Sequence, residues 1–296
     1  MYEQFFGLRE RPFELTSNAT YVVMTSKHQE ALSVLQYGIS TGHGITLLLG
    51  AAGTGKTTML RRALGRRTGG VSEEGGRWVC LNNPGLTRQE FLDTLANGFQ
   101  LSPEASTSKS RFLRELERVL FEHHAHGRVA GLVVDEAQSA PTHVLEELRL
   151  LSNLESESAK LLRVILVGQP ALARRLNDPE LSHLKQRIGV RSTLPALSLQ
   201  ETAIYVARRI TLAGGTPDSI FTRDGVLAIH DRSGGIPRTI NVICHNALLT
   251  GFAADRRPVD AELVFEVCRD FDLQYLGALP AAARQRNAGL RQAAAR

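Results

Sequence analysis

The sequence predicts an α/β fold with a mainly parallel sheet, followed by a small all-helical domain. Three observations predict it. Short β-type runs alternate with amphipathic helical stretches as far as residue 195. After Pro195 the strand signals stop and only helical patterns follow. The chain has 296 residues, 43% hydrophobic and 22% charged, which suits two domains and excludes whole-chain disorder.

The predicted strands are Ile45–Leu49, Trp78–Leu81, Leu132–Val134, Val164–Val167 and Val190–Leu194. Two helices fall between the second and third. Thr87 and Glu90 have capping-box spacing ahead of Phe91, Leu92 and Leu95, which starts the first. The second runs from Ser110 to His126 with Phe112, Leu113, Leu116, Val119 and Leu120 on one face. Gly69–Gly76 reads as a charged, glycine-rich loop. Further helices are predicted over Leu199–Leu212, Thr222–His230, Ile236–Phe252 and Ala261–Phe271, with Gly214–Gly215 and Gly234–Gly235 as punctuation. The expected organisation is a core over 1–197, a helical domain over 198–272 and a basic, disordered tail over 273–296.

The net charge is +5, but four arginines in the acid-free tail (Arg284, Arg286, Arg291, Arg296) carry most of it. The body is therefore near neutral, and a basic tail is a poorer sign of nucleic-acid binding than a basic face. Cys80, Cys244 and Cys268 are an odd number without CxxC spacing, which argues against a disulfide framework or zinc site and for a reducing compartment. The opening MYEQFFGLRERPFE lacks the apolar region of a signal peptide. Ile45–Leu49 and Leu132–Val134, the longest apolar runs, fall far short of the roughly 20 residues of a membrane span. A cytoplasmic chain without membrane insertion is expected.

Gly50-Ala51-Ala52-Gly53-Thr54-Gly55-Lys56-Thr57 matches G-x-x-x-x-G-K-[ST] in full, after a strand and ahead of a helix beginning at Thr58. Glycines let the backbone curl so that its amides point at a β-phosphate, and the helix N-terminus adds partial positive charge. Lys56 would set an ammonium against the β- and γ-phosphates, and the Thr57 hydroxyl would ligate Mg²⁺. Arg61, Arg62, Arg66 and Arg67 read as a solvated helix face or, in the rival reading, as a phosphate or DNA patch.

About 80 residues on, Gly131-Leu132-Val133-Val134-Asp135-Glu136 is an apolar strand ending in two acids. Asp135 would hold Mg²⁺ directly or through water, and Glu136 would orient and polarise the attacking water. The glutamate favours hydrolysis over phosphoryl transfer to a metabolite. The extra strand Trp78–Leu81 between loop and acids points the same way.

Gln169 follows the fourth strand and reads either as a γ-phosphate or water ligand or as a turn residue before Pro170. Arg187 is the first choice for a cation reaching a neighbouring subunit's nucleotide, with Arg174, Arg175 and Arg191 as rivals. Arg238 follows Pro237 at a helix start, where a cation is disfavoured by the helix dipole, and this suggests a task for it.

With these pieces in order the sequence resembles the AAA+ ATPases, and more narrowly the ExeA-type ATPases of the general secretion pathway protein A group. The resemblance rests on Tyr2–Leu8 with Arg11-Pro12-Phe13 and His28–Leu32, on Val134–Gln138, on Leu166–Pro170 and on Gly235–Arg238. It implies a P-loop NTPase core with a five-stranded parallel sheet and a helical lid. It also implies that the stretch around Phe13, Tyr21 and His28 flanks the adenine, with Gln169 as sensor 1 and Arg238 as sensor 2. ExeA-type proteins continue into a membrane span and a peptidoglycan-binding domain, which this sequence lacks, so no direct cell-wall link is expected. The function implied is ATP·Mg²⁺ binding and hydrolysis, with nucleotide-dependent homo-oligomers serving export or envelope-assembly proteins. The alternative is a regulator of transposition of the TniB and TnsC kind that assembles on duplex DNA, and a third reading is a small-molecule kinase.

Overall fold

The computed structural model describes residues 1–14, 23–42, 44–65, 76–156 and 159–270. The chain forms two compact units, Ser26–Pro195 and Met1–Thr25 with Ala196–Arg296. Tyr21, Arg66, Arg67, most of the Gly69–Gly76 loop and the basic tail lie outside the described residues. Among the described residues, no helix is long and apolar enough to cross a membrane.

The Ser26–Pro195 unit holds a five-stranded sheet in the order β2-β3-β4-β1-β5. Its strands are β1 (Ile45–Gly50), β2 (Arg77–Leu81), β3 (Ala130–Val134), β4 (Leu162–Gly168) and β5 (Ile188–Leu194). All four pairings are parallel. Parallel neighbours need long crossovers, which here carry helices, and strands covered on both faces can be apolar throughout. Every residue of β1 and β3 is accordingly buried. The five predicted strands all form, most lengthened by a residue or two, and β4 lies between the strands bearing the phosphate loop and the acidic pair.

The helix Arg88–Gly98 starts as its sequence predicts: the Thr87 side chain accepts from the Glu90 amide, and Glu90 Oε2 accepts the Thr87 amide at 2.8 Å. A second capping box, Ser198 with Glu201, starts the helix Leu199–Leu212 and is an addition to the sequence reading. Two helices of the α/β unit, Ser26–Thr41 and Thr142–Leu151, are also additions. The buried stripe of the first is His28, Ala31, Leu35, Gly38 and Ile39, in which a histidine and a glycine blur the apolar period. Gly38 allows close approach to β1, since a Cβ there would sit 2.0 Å from Thr46 Oγ1.

The second unit gathers the C-terminal helices Leu199–Leu212, Arg223–Ser233, Pro237–Ala253 and Ala261–Asp270. Its core also takes in Tyr2, Phe6, Leu8 and Phe13. The expectation of a core over 1–197 is therefore corrected at its N-terminal end. The physical reason is aromatic burial: Phe13 is 0% exposed and meets Phe221 edge-on at 6.2 Å. Arg209 locks the segment in place, donating from Nε to Pro12 O at 2.6 Å and from Nη1 to Tyr205 Oη at 2.7 Å. Its guanidinium lies 5.8 Å from the Phe13 ring centroid. Phe13 is thus a core residue of the helical unit.

Phe13→Ala is expected to cost about 3–5 kcal/mol of stability, the usual range for deleting a buried phenyl ring. Urea denaturation checks this, and a loss below about 1 kcal/mol would contradict the packing role.

Candidate nucleotide-binding site

The site is built where β1 ends. Gly53 and Gly55 have φ of 81° and 98°, a region that glycine enters without strain, so the main chain curls back on itself. Gly50 permits closure, because a Cβ there would lie 2.6 Å from Thr54 Oγ1 and 2.9 Å from Leu194 O. Two bonds brace the curl from inside: Thr54 Oγ1 and Lys56 Nζ donate to Ala51 O at 2.9 and 3.1 Å. Gly55 is the N-cap of the helix Lys56–Leu64 and offers no side chain to its first amides. Such uncapped amides with the helix dipole make an anion site.

Lys56 is only 4% exposed. Burial lowers its pKa, while Glu136 and Asp135 oppose that shift. Thr57 Oγ1 donates to Asp135 Oδ2 at 2.8 Å, joining the start of the helix to the tip of β3. Asp135 Oδ1 also accepts the Glu136 amide at 2.9 Å. A hydroxyl and a carboxylate at this spacing are a hard-oxygen pair of the kind Mg²⁺ takes beside phosphates.

Glu136 stands at φ 51°, in the left-handed region, a conformation that costs a non-glycine residue about 1 kcal/mol or more and clusters at functional sites. Its Oε2 accepts Gln169 Nε2 at 3.1 Å and also Gln138 Nε2. Burial pushes the Glu136 pKa up, but the amides of Gln138 and Gln169 with the Lys56 ammonium outweigh it and hold the carboxyl below the ordinary glutamate value. Lys56, Thr57, Asp135, Glu136 and Gln169 are thus brought together as the sequence expects. Gln138 is a residue to which the sequence assigns no role beyond its place in the Val134–Gln138 motif. Its one signal is its place two residues after the acidic pair.

His28, 7% exposed on the helix Ser26–Thr41, sets Nε2 3.4 Å from Thr54 O. It therefore packs against the main chain of the phosphate loop. Arg175 is tied inward, with Nη1 donating to Gln138 O and Ala140 O at 2.7 and 2.8 Å. Arg187 is exposed, and its carbonyl accepts the Ile45 amide at 2.8 Å. That places it at the opposite end of β1 from Gly50, roughly 17 Å along the strand. Its own chain's phosphate loop is out of its reach. Arg174 and Arg191 are exposed as well. Arg238 is exposed in the first turn of Pro237–Ala253, within the helical unit.

A parallel sheet of this order, with a phosphate loop after β1 and paired acids at the tip of β3, defines a P-loop NTPase of the AAA+ fold. Residues 39–176 match the family described as AAA domain. The chain is 41% identical over 253 residues to general secretion pathway protein A of Aeromonas hydrophila. It is an AAA+ protein related to the ExeA-type proteins. The match covers 86% of this chain and 45% of that protein, so the chain spans under half the length of this relative. Among solved structures it is similar to Cdc6p of Pyrobaculum aerophilum, with a TM-score of 0.60, 17% identity and coverage of 86% of this chain and 71% of that one. The Aeropyrum pernix ORC2 protein gives a TM-score of 0.58 at 18% identity, covering 87% and 71%. At such identities the likeness is one of fold.

Proposed function

We propose that the chain is an ATPase that binds ATP·Mg²⁺ on the phosphate loop and hydrolyses it. The observation that carries this reading is the continuous set of contacts from Thr57 to Asp135 and from Glu136 to Gln169 beside a buried Lys56. The loop amides and Lys56 would bind the phosphates, while Thr57 and Asp135 would hold the metal. Mg²⁺ supplies neutralisation of phosphate charge when bound. Glu136, kept ionised by its amide donors, would accept a proton from water, and Gln169 would orient that water or the γ-phosphate. Gly50–Thr58 form the cradle in this reading, with His28 set against its main chain at Thr54 and flanking the adenine as the resemblance implies. Phosphate release with no acceptor present tests hydrolysis directly. ADP formed only on addition of a metabolite acceptor, with the γ-phosphoryl carried by that acceptor and no free phosphate, would favour a kinase.

Arg187 would complete a neighbour's site, which makes hydrolysis dependent on assembly. Arg187→Ala and Lys56→Ala subunits are each expected to be inactive, and their mixture to recover activity through shared sites. A mixture as inactive as its parts would remove Arg187 from the reaction. Arg238 keeps its proposed role as sensor 2 on the resemblance alone.

The similarity to general secretion pathway protein A supports a partner in an export machine, and the odd number of cysteines without CxxC spacing supports a reducing compartment such as the cytoplasm. Electron microscopy with a slowly hydrolysed ATP analogue is expected to show rings or filaments without DNA. Assembly only on duplex DNA, weakening steeply with salt, would move the reading to a transposition regulator.

A further inference from the structure

Gln138 is half-buried in the short turn after β3, and both ends of its amide are used. Its Oε1 accepts the main-chain N–H of Gln169 at 2.9 Å, and its Nε2 donates to Glu136 Oε2. Gln169 Nε2 donates to the same carboxylate oxygen at 3.1 Å. Three residues therefore close a ring that joins the tip of β3 to the tip of β4. Gly168 makes room for it, since a Cβ there would lie 3.1 Å from Gln138 Oε1 and 2.8 Å from Leu172 Cδ2. The main chain of the turn is gripped in addition by Arg175, through Gln138 O and Ala140 O.

We propose that Gln138 is a positioning residue for hydrolysis, holding the Glu136 carboxylate and the Gln169 amide in one fixed arrangement. The proposal rests on the ATPase reading of Glu136. Two amide donors on Oε2 fix the plane of the carboxylate and direct its other oxygen toward water. Glutamine fits the task, with one donor and one acceptor at the end of a side chain that reaches both tips. Asparagine is one methylene short of spanning both tips, glutamate would set carboxylate against carboxylate, and methionine fills the space without donor or acceptor.

The test uses the full chain carrying Gln138→Met or Gln138→Ala, each alone and combined with Glu136→Gln. ATP affinity by calorimetry is expected to stay within about threefold, while kcat falls about 100-fold, the scale of misplaced reacting groups. Added to Glu136→Gln, either change should cost nothing further in single-turnover assays, because the group being positioned is already gone. A purely structural role would instead add its loss to that of Glu136→Gln. Such additive losses, loss of ATP binding in both variants, or a kcat within threefold of the parent in Gln138→Met would each overturn the proposal. A wild-type rate in Glu136→Gln itself would sink the hydrolytic reading, and this proposal with it. That result is distinguishable because it needs no change at Gln138.

Discussion

Lys56→Ala is expected to remove nucleotide binding, with affinity falling at least about 100-fold. A charge-assisted hydrogen bond is worth roughly 1.5–3 kcal/mol, and one ammonium spanning two phosphates supplies about 3 kcal/mol or more. The ammonium already lies in the loop, bonded to Ala51 O at 3.1 Å, so little ordering is left to offset its contact with phosphate. The folded protein should tolerate the change. Burial lowers the Lys56 pKa, which means that the fold disfavours its charged form, and deleting the charge relieves that penalty. Stability without nucleotide is therefore expected to change by no more than about 1 kcal/mol. Calorimetry with ATP and magnesium reads the first effect and thermal denaturation the second. Unchanged affinity in a folded variant would contradict the phosphate-loop assignment.

Glu136→Gln should leave ATP bound and stop turnover. A positioned general base is worth about 10²–10⁴ in rate, and glutamine cannot accept the proton. The substitution preserves shape, and the new amide oxygen can still accept from Gln138 and Gln169, so the β3 and β4 tips stay joined. Affinity within about threefold of the parent and a kcat reduced at least about 100-fold are the expected pair of results. The split between binding and rate separates a base from a residue that merely supports the loop, whose loss would weaken both. Hydrolysis at the parent rate would remove Glu136 from the chemistry.

How much of this was legible from residues alone depends on the range of the interactions involved. The phosphate loop, the helix cap at Thr87 and the paired acids are written in consecutive residues, because each depends on backbone geometry within one turn or on one strand tip. Strand alternation with helices likewise announced the parallel sheet. The helix Ser26–Thr41 is not legible from periodicity because its inner stripe contains His28 and Gly38, the latter allowing close packing on Thr46.

The allegiance of the N-terminal segment was settled only in three dimensions. Through the resemblance Phe13 reads as part of a stretch beside the adenine, and it is Arg209 and Phe221, about 200 residues away, that draw it into the helical core. The same holds for Arg175, in sequence a rival for the cation that reaches a neighbouring subunit, whose guanidinium the fold brings to the turn at Gln138 and Ala140.

The sequence by itself determined the fold class, the phosphate cradle and the acidic pair, since neighbours in the chain suffice to shape a curl of glycines or a strand end. Only the tertiary structure decided that Gln138 bridges Glu136 to Gln169, that Arg187 stands far from its own loop, and that the first residues belong with the last helices. Those facts rest on hydrogen bonds and ring contacts between residues far apart in the chain, whose pairing is set by the order of strands and the packing of helices.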